Sequence, residues 1–330
     1  MAEDTIMGRR KASNFVGPAD FDASQGENAG LGYPTLLSDK GVHMLKSILV
    51  ALDGSSSSIA GASFALRLAG RLSANVEGLG VVNSDWIQRP QPVPVGGLAY
   101  KREFDLKLLN SADERIDTVL HAFSSDARRA GITFSTKRID ADALSSIGIE
   151  SIEHDLVVVG RNSLFDVEGE LDRIPLCVDR IFRSGLRPVV MVPDADEGGQ
   201  AENDTAPLLV AFDGSAAASR TLHMLALLGI AAEREVHILT QDNRSELQAA
   251  AEAERACALL RRHGIAWVKG VGLGDRQAGT PAEAILGTAK VLGAGMIVMG
   301  AYGHSGIREI FGSCTRAVLT EARQPLFLYH

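Results

Sequence analysis

Two kinds of short segment in this chain have residue types suited to chemistry. The first is a glycine-rich run, Gly300-Ala301-Tyr302-Gly303-His304-Ser305-Gly306-Ile307-Arg308-Glu309-Ile310-Phe311-Gly312-Ser313. Glycines let backbone N–H groups approach one another and converge on an anion. A helix opening at Gly312-Ser313 would add free amides and a partial positive charge. Ser313 then has two readings, as N-cap of that helix or as donor to a phosphate oxygen. The second kind is Asp-Gly-Ser, found as Asp53-Gly54-Ser55 and again as Asp213-Gly214-Ser215. Such a carboxylate can accept hydrogen bonds from its own turn or lie beside a ligand.

Other patterns carry less. Gly270, Gly272 and Gly274 fail the G-x-G-x-x-G spacing and lead into Asp275-Arg276-Gln277, not into a helix start. There is no G-x-x-x-x-G-K-[ST] loop. His304 beside Ser305 lacks a third residue to orient a nucleophile. Arg308 reads either as a phosphate contact or as a salt bridge at a helix start. Cys177, Cys257 and Cys314 are odd in number and never form C-x-x-C, so neither a disulfide framework nor a zinc site is expected. The expectation is no catalytic residue and no metal ligand.

The elements that must position these segments repeat. Residues 48–55, ILVALDGS, match residues 208–215, LLVAFDGS, and each run leads into a small-residue helix. Residues 155–160 match 295–300, and 187–192 match 324–329, in the same order. Three matches in one order indicate duplication. Strands are expected at 47–52, 76–82, 131–138, 155–159 and 188–192, then at 208–212, 235–240, 265–271, 295–299 and 325–329. Helices are expected at 57–72 in the first copy and at 216–230, 245–263, 281–292 and 313–322 in the second. A Pro/Gly-rich insertion occupies 84–100. Continuous apolar strands alternating with helices imply a parallel sheet covered on both faces. The expected fold is α/β: two tandem open, twisted five-stranded parallel sheets with helices on both faces, Rossmann-like. The first domain spans 44–193, a linker 194–206 and the second domain 207–330. Residues 1–43 show no sustained period and read as a disordered tail.

At 330 residues, 45% hydrophobic and 22% charged, each half can bury a core. The net charge of −8 argues against nucleic-acid and anionic-membrane surfaces. No apolar run approaches the ~18 residues of a bilayer span and the start has no apolar signal core, so the expected location is cytoplasmic.

On the duplicated Asp-Gly-Ser and the Gly-x-x-Gly, spacer, Gly-Ser motif, the chain resembles a tandem universal stress protein from Met44 to the end. The resemblance implies an adenine nucleotide, ATP with magnesium, in the second half. It places the phosphates and ribose at Gly300, Gly303, Gly312 and Ser313 and the base beside Asp213. Ala211, Gly214, Ser215, Tyr302, His304 and Cys314 complete the implied set, and Gly279-Thr280-Pro281 resembles the family's turn before the third helix. The spacer, His304 to Phe311, has eight residues, one fewer than the family's ATP-binding pattern. The first half departs further. After Gly160 it has no second glycine, and Asp166, Glu168, Glu170 and Asp172 would repel a polyphosphate unless a metal lay between. That half is expected not to bind ATP in the ordinary way, with Asp53 accepting from its own turn. The resemblance also implies that the last strands of the two halves pair within the chain, and it leaves homodimerisation open. Three readings of function stand: a nucleotide-responsive binding protein, a slow ATPase, or an interaction module without a ligand.

Overall fold

The computed structural model describes residues 44–90, 92, 94, 97–163, 187–195, 204–242, 245–274, 279–301 and 313–330. The expected tail at 1–43, the acidic segment at 166–172 and most of the expected linker lie outside them.

The first half opens with strand β1, Ser47–Leu52, whose side chains are almost all buried. The chain then turns at Gly54, with φ of +80°, which a side-chain-bearing residue rarely adopts. Ser55 caps helix α1, Ser56–Leu72, by accepting from the Ser58 amide. Strand β2 follows at Asn75–Val82, then the short helix α2 at Ser84–Ile87. The insertion read at 84–100 ends inside a much longer helix, α3, Leu98–Ala130. Its buried residues, Ala112, Ile116, Val119, Phe123 and Ala127, form a stripe at helical spacing on the C-terminal part alone. Strand β3, Phe134–Asp140, helix α4, Ala143–Glu150, and strands β4, Leu156–Gly160, and β5, Val189–Val192, complete this half.

The second half repeats the order. Strand β6 is Leu208–Ala211, helix α5 Ala216–Leu227, strand β7 Val236–Gln241 and helix α6 Glu246–Arg262. Strand β8 is Val268–Leu273, helix α7 Pro281–Leu292, strand β9 Met296–Gly300, helix α8 Ser313–Glu321 and strand β10 Leu326–Tyr329. Helix α7 has a capping box between Thr280 and Glu283, with Pro281 in its first turn.

Two boundaries differ from expectation for one reason. The strands expected from 131 and 265 begin at Phe134 and Val268. Gly131 (φ +68°) and Gly264 (φ +82°) end the preceding helices in the left-handed conformation. The amides of Ile132 and Ile265 then bond back to Ala127 and Leu260 at 3.0 and 3.1 Å. These apolar residues belong to the hydrophobic contact that accompanies such a helix end, not to a strand. Helix α5 likewise stops at Leu227, short of the expected residue 230.

The ten strands among the described residues form one sheet in the order β3-β2-β1-β4-β5-β10-β9-β6-β7-β8. Each half is parallel and has the same internal order. The halves meet where β5 pairs antiparallel with β10, Val190 opposite Phe327. The strands of one half therefore run opposite to those of the other. Helices α1, α3, α5 and α6 bury one face with Ile48, Val50, Leu52, Val190 and Phe327. Helices α4, α7 and α8 bury the other with Leu49, Ala51, Leu326 and Leu328. The described residues from Met44 to His330 pack as one body.

Polar contacts reinforce the seam. Arg71 donates to the carbonyls of Ile230 and Ala232 at 3.0 and 3.2 Å, and Arg67 lies 3.5 Å from Asp204. Arg161 donates to the Ala322 carbonyl. The buried Arg234 donates to the Ala206 carbonyl through Nε at 2.8 Å. Burial, with Arg71 adding repulsion, pulls its pKa down to about 10, so it stays charged at neutral pH.

Candidate functional site

In open parallel sheets, ligands bind beyond the carboxyl ends of the strands, at the crevice where the strand order reverses. In the second half that crevice lies between the adjacent strands β6 and β9. It collects Ala211 at the end of β6, the Asp213-Gly214-Ser215 turn and Gly300 at the end of β9. The Ser215 amide donates to Asp213 Oδ1 at 3.0 Å, and Ser215 Oγ accepts from the Ala218 amide at 3.1 Å. This serine is therefore the cap of α5, and its hydroxyl oxygen is in use. Gly300 is required by packing: a Cβ there would stand 2.8 Å from the Ala218 nitrogen. The strand end and the helix start are thus pressed together. Asp213 and Gly214 are both exposed, and a Cβ on Gly214 would meet Glu252 Oε2 at 2.5 Å.

Ser313 opens helix α8 and is exposed, while Cys314 is half-buried beside it. Burial, and secondarily the Asp213 carboxylate, pushes the Cys314 thiol up. That shift keeps the sulfur protonated at neutral pH and unsuited to nucleophilic attack. At the other rim, the Gln241 side-chain amide donates to the Gly279 carbonyl at 3.3 Å, tying the end of β7 to the turn before α7. The structure thus brings together Ala211, Asp213, Gly214, Ser215, Gly300 and Cys314, with Ser313 at the adjoining helix start. Tyr302, Gly303, His304 and Gly312 lie outside the described residues. Among the described residues no cluster of three or more His, Cys, Asp or Glu side chains could hold a metal ion. The exposed Asp213 carboxylate and the Ser313 hydroxyl are an acceptor and a donor suited to the amino or ribose groups and the phosphates of a nucleotide, respectively.

Residues 205–330 match the model of the Universal stress protein family. The chain carries a universal stress protein domain. A universal stress protein of Synechocystis is 25% identical over 309 residues, an alignment that covers 86% of this chain and all of that relative. The crystal structure of a universal stress protein from Archaeoglobus fulgidus superposes with a TM-score of 0.56 at 18% identity, covering 86% of this chain and 95% of that one. The likeness of fold therefore extends across both halves.

The first half repeats the strand and turn geometry of the second but buries the equivalent carboxylate. The Ser55 amide donates to Asp53 Oδ1 at 2.8 Å, matching the bond in the second half. The other oxygen differs. Asp53 Oδ2 accepts from Ser163 Oγ at 2.5 Å, and the carboxylate is only 2% exposed. Asn162 donates its amide to Ser57 Oγ at 3.1 Å and its side chain to Asp194, which also accepts from Ser56 Oγ. The start of α1 is thus filled by protein groups. Arg115 reaches back from α3 and donates Nε to the Asp53 carbonyl at 2.9 Å.

Asn162, Ser163, Asp194 and Arg115 were not singled out by sequence. Ser163 stands where the second half has Gly303, and that difference was the available signal. Asp194, expected to begin a plain linker, instead bonds to Ser56 and Asn162. Gly270, Gly272 and Gly274 have a packing role: Cβ atoms there would crowd α6 at Ala253, Ala250 and Glu246.

Proposed function

We propose that the protein is a tandem universal stress protein, with domains at 44–193 and 207–330 joined by 194–206, and that it works in the cytoplasm as an adenine-nucleotide-responsive binding protein. In this reading the ligand sits in the second domain and the first is not a nucleotide site. The observation that carries it is the contrast between an exposed Asp213 and an Asp53 whose two carboxylate oxygens both accept protein hydrogen bonds. A buried, satisfied carboxylate has no acceptor to offer an incoming ligand without losing those bonds. The exposed one can be reached from solvent.

The negative charge of Asp213 and Glu252 favours the amino and hydroxyl donors of an adenosine over bare phosphate oxygens. The phosphates belong toward Ser313, with magnesium offsetting their charge. Binding is favoured over catalysis because the protonated Cys314 and the cap-engaged Ser215 supply no activated nucleophile. The free Cys257 and Cys314 suit a reducing compartment. No helix among the described residues is long and apolar enough to cross a membrane.

Calorimetric titration of the full chain with MgATP tests this. One site per chain is expected, weakened about tenfold or more by Asp213→Ala or Ser313→Ala and unchanged by Ser163→Ala. No heat at millimolar MgATP would overturn the reading in favour of an interaction module without a nucleotide. Hydrolysis abolished by Asp213→Ala together with Ser313→Ala would make it an ATPase.

A further inference from the structure

The insertion between β2 and α3 builds a feature in the first half that has no counterpart among the described residues of the second. After Val82, the chain forms α2 and later re-enters as the N-terminal part of α3. In the second half, β7 ends at Gln241 and α6 starts at Glu246, leaving no room for an equivalent. The first ten residues of α3 contribute nothing to the core. Instead Lys101, Phe104 and Asp105 among them help line a half-open cavity of about 400 Å³ at the carboxyl ends of β1 and β2. That volume falls in the range of small-molecule sites.

Its walls combine two chemistries. Trp86, Ile87, Phe104, Leu108 and Ile116 provide an apolar lining, and Phe104 and Leu108 remain 50% and 41% exposed. Arg89, Lys101, Arg115, Asp53 and Asp105 also line it. Both carboxylates have partners within the protein. Asp53 is held by Ser55 and Ser163, and Asp105 pairs with Lys101 one turn away. Arg115 is held at the wall by its bond to the Asp53 carbonyl, and Arg89 lies over the Trp86 ring, 3.3 Å from its centroid. Lys101 is matched by Asp105, and Arg115, held through Nε, is placed to meet a single negative charge on an otherwise apolar molecule.

We propose that this hollow binds a small monoanion with an apolar body, of the aryl or medium-chain carboxylate or sulfonate class. The molecule's apolar part covers Phe104 and Leu108, and its anionic group meets Arg115. The site is separate from the nucleotide reading and does not rest on it.

The test uses the full chain and the probe anilinonaphthalene sulfonate, followed by fluorescence. One saturable site per chain is expected. Decanoate displaces the probe at concentrations at least about tenfold below decyltrimethylammonium, which has the same chain length and the opposite charge. ATP does not displace it. Ser111→Trp, at an exposed position on the cavity wall, blocks binding without changing the thermal midpoint, and Arg115→Gln weakens it about tenfold. Equal displacement by the cationic amphiphile, displacement by ATP, or affinity unchanged in both variants would overturn the proposal. Asp213→Ala leaves the probe's affinity unchanged, which separates failure here from failure of the nucleotide reading.

Discussion

Asp53 and Asp213 close the same turn, at the end of equivalent strands, before equivalent capped helices. One is buried under Ser163; the other faces solvent. Duplication thus preserved what the fold needs, the bond from the serine amide to one carboxylate oxygen. The two halves differ in the surroundings of the second oxygen. The first half turned that oxygen inward as a structural acceptor. One motif thus holds its carboxylate in two environments, buried and exposed.

The seam gives the largest way to break this comparison. Phe327 is fully buried where β10 meets β5, so Phe327→Ala is expected to cost about 3–5 kcal/mol. Single-tryptophan variants keeping Trp86 or Trp267 report each half separately in urea. Both reporters should shift together; a shift in Trp267 alone would mean that the halves do not share stability. Next comes the carboxylate pair. Asp53→Ala strands the Ser55 amide and the Ser163 hydroxyl and should cost about 2–3 kcal/mol, against about 0.5–1 for Asp213→Ala. Equal costs would remove the distinction.

The smallest effect concerns pH. His154 stands just before β4, bonded to Ser47 Oγ, where the second half has the buried Ala294. Burial holds its pKa below the ordinary 6.5, against the opposing pull of Glu77, Glu153, Glu150 and Asp155. The unfolded chain therefore binds that proton more tightly. Stability from this residue is full above 6.5 and is lost as pH falls through 6.5 toward the folded value. The Trp86 urea midpoint should drop between about pH 7.5 and 5.5, and His154→Ala should flatten that drop. An unchanged slope in the variant would assign the sensitivity elsewhere.

Much of this architecture was legible. Apolar runs such as 48–52 and 208–211 disclosed buried parallel strands, and their shared Asp-Gly-Ser disclosed the duplication. The role of Asp53 as acceptor of its own turn also followed from local chemistry. What closed its other oxygen did not. Ser163 is 110 residues away and Arg115 is 62, and neither contact leaves a local pattern. Ile132 and Ile265 misled because an apolar residue looks alike in a strand and behind a helix-ending glycine. The length of α3 was hidden because its first ten residues lack the buried stripe that marks a packed helix.

The antiparallel pairing of β5 with β10 has a consequence for stoichiometry. Two separate identical subunits meeting edge to edge must carry the same pair of sites, and their association depends on concentration. Here the two edges belong to one polypeptide, so the tether supplies the effective concentration. Every molecule then carries one exposed and one buried carboxylate at any dilution, a fixed one-to-one composition that a symmetric pair of identical chains cannot reach.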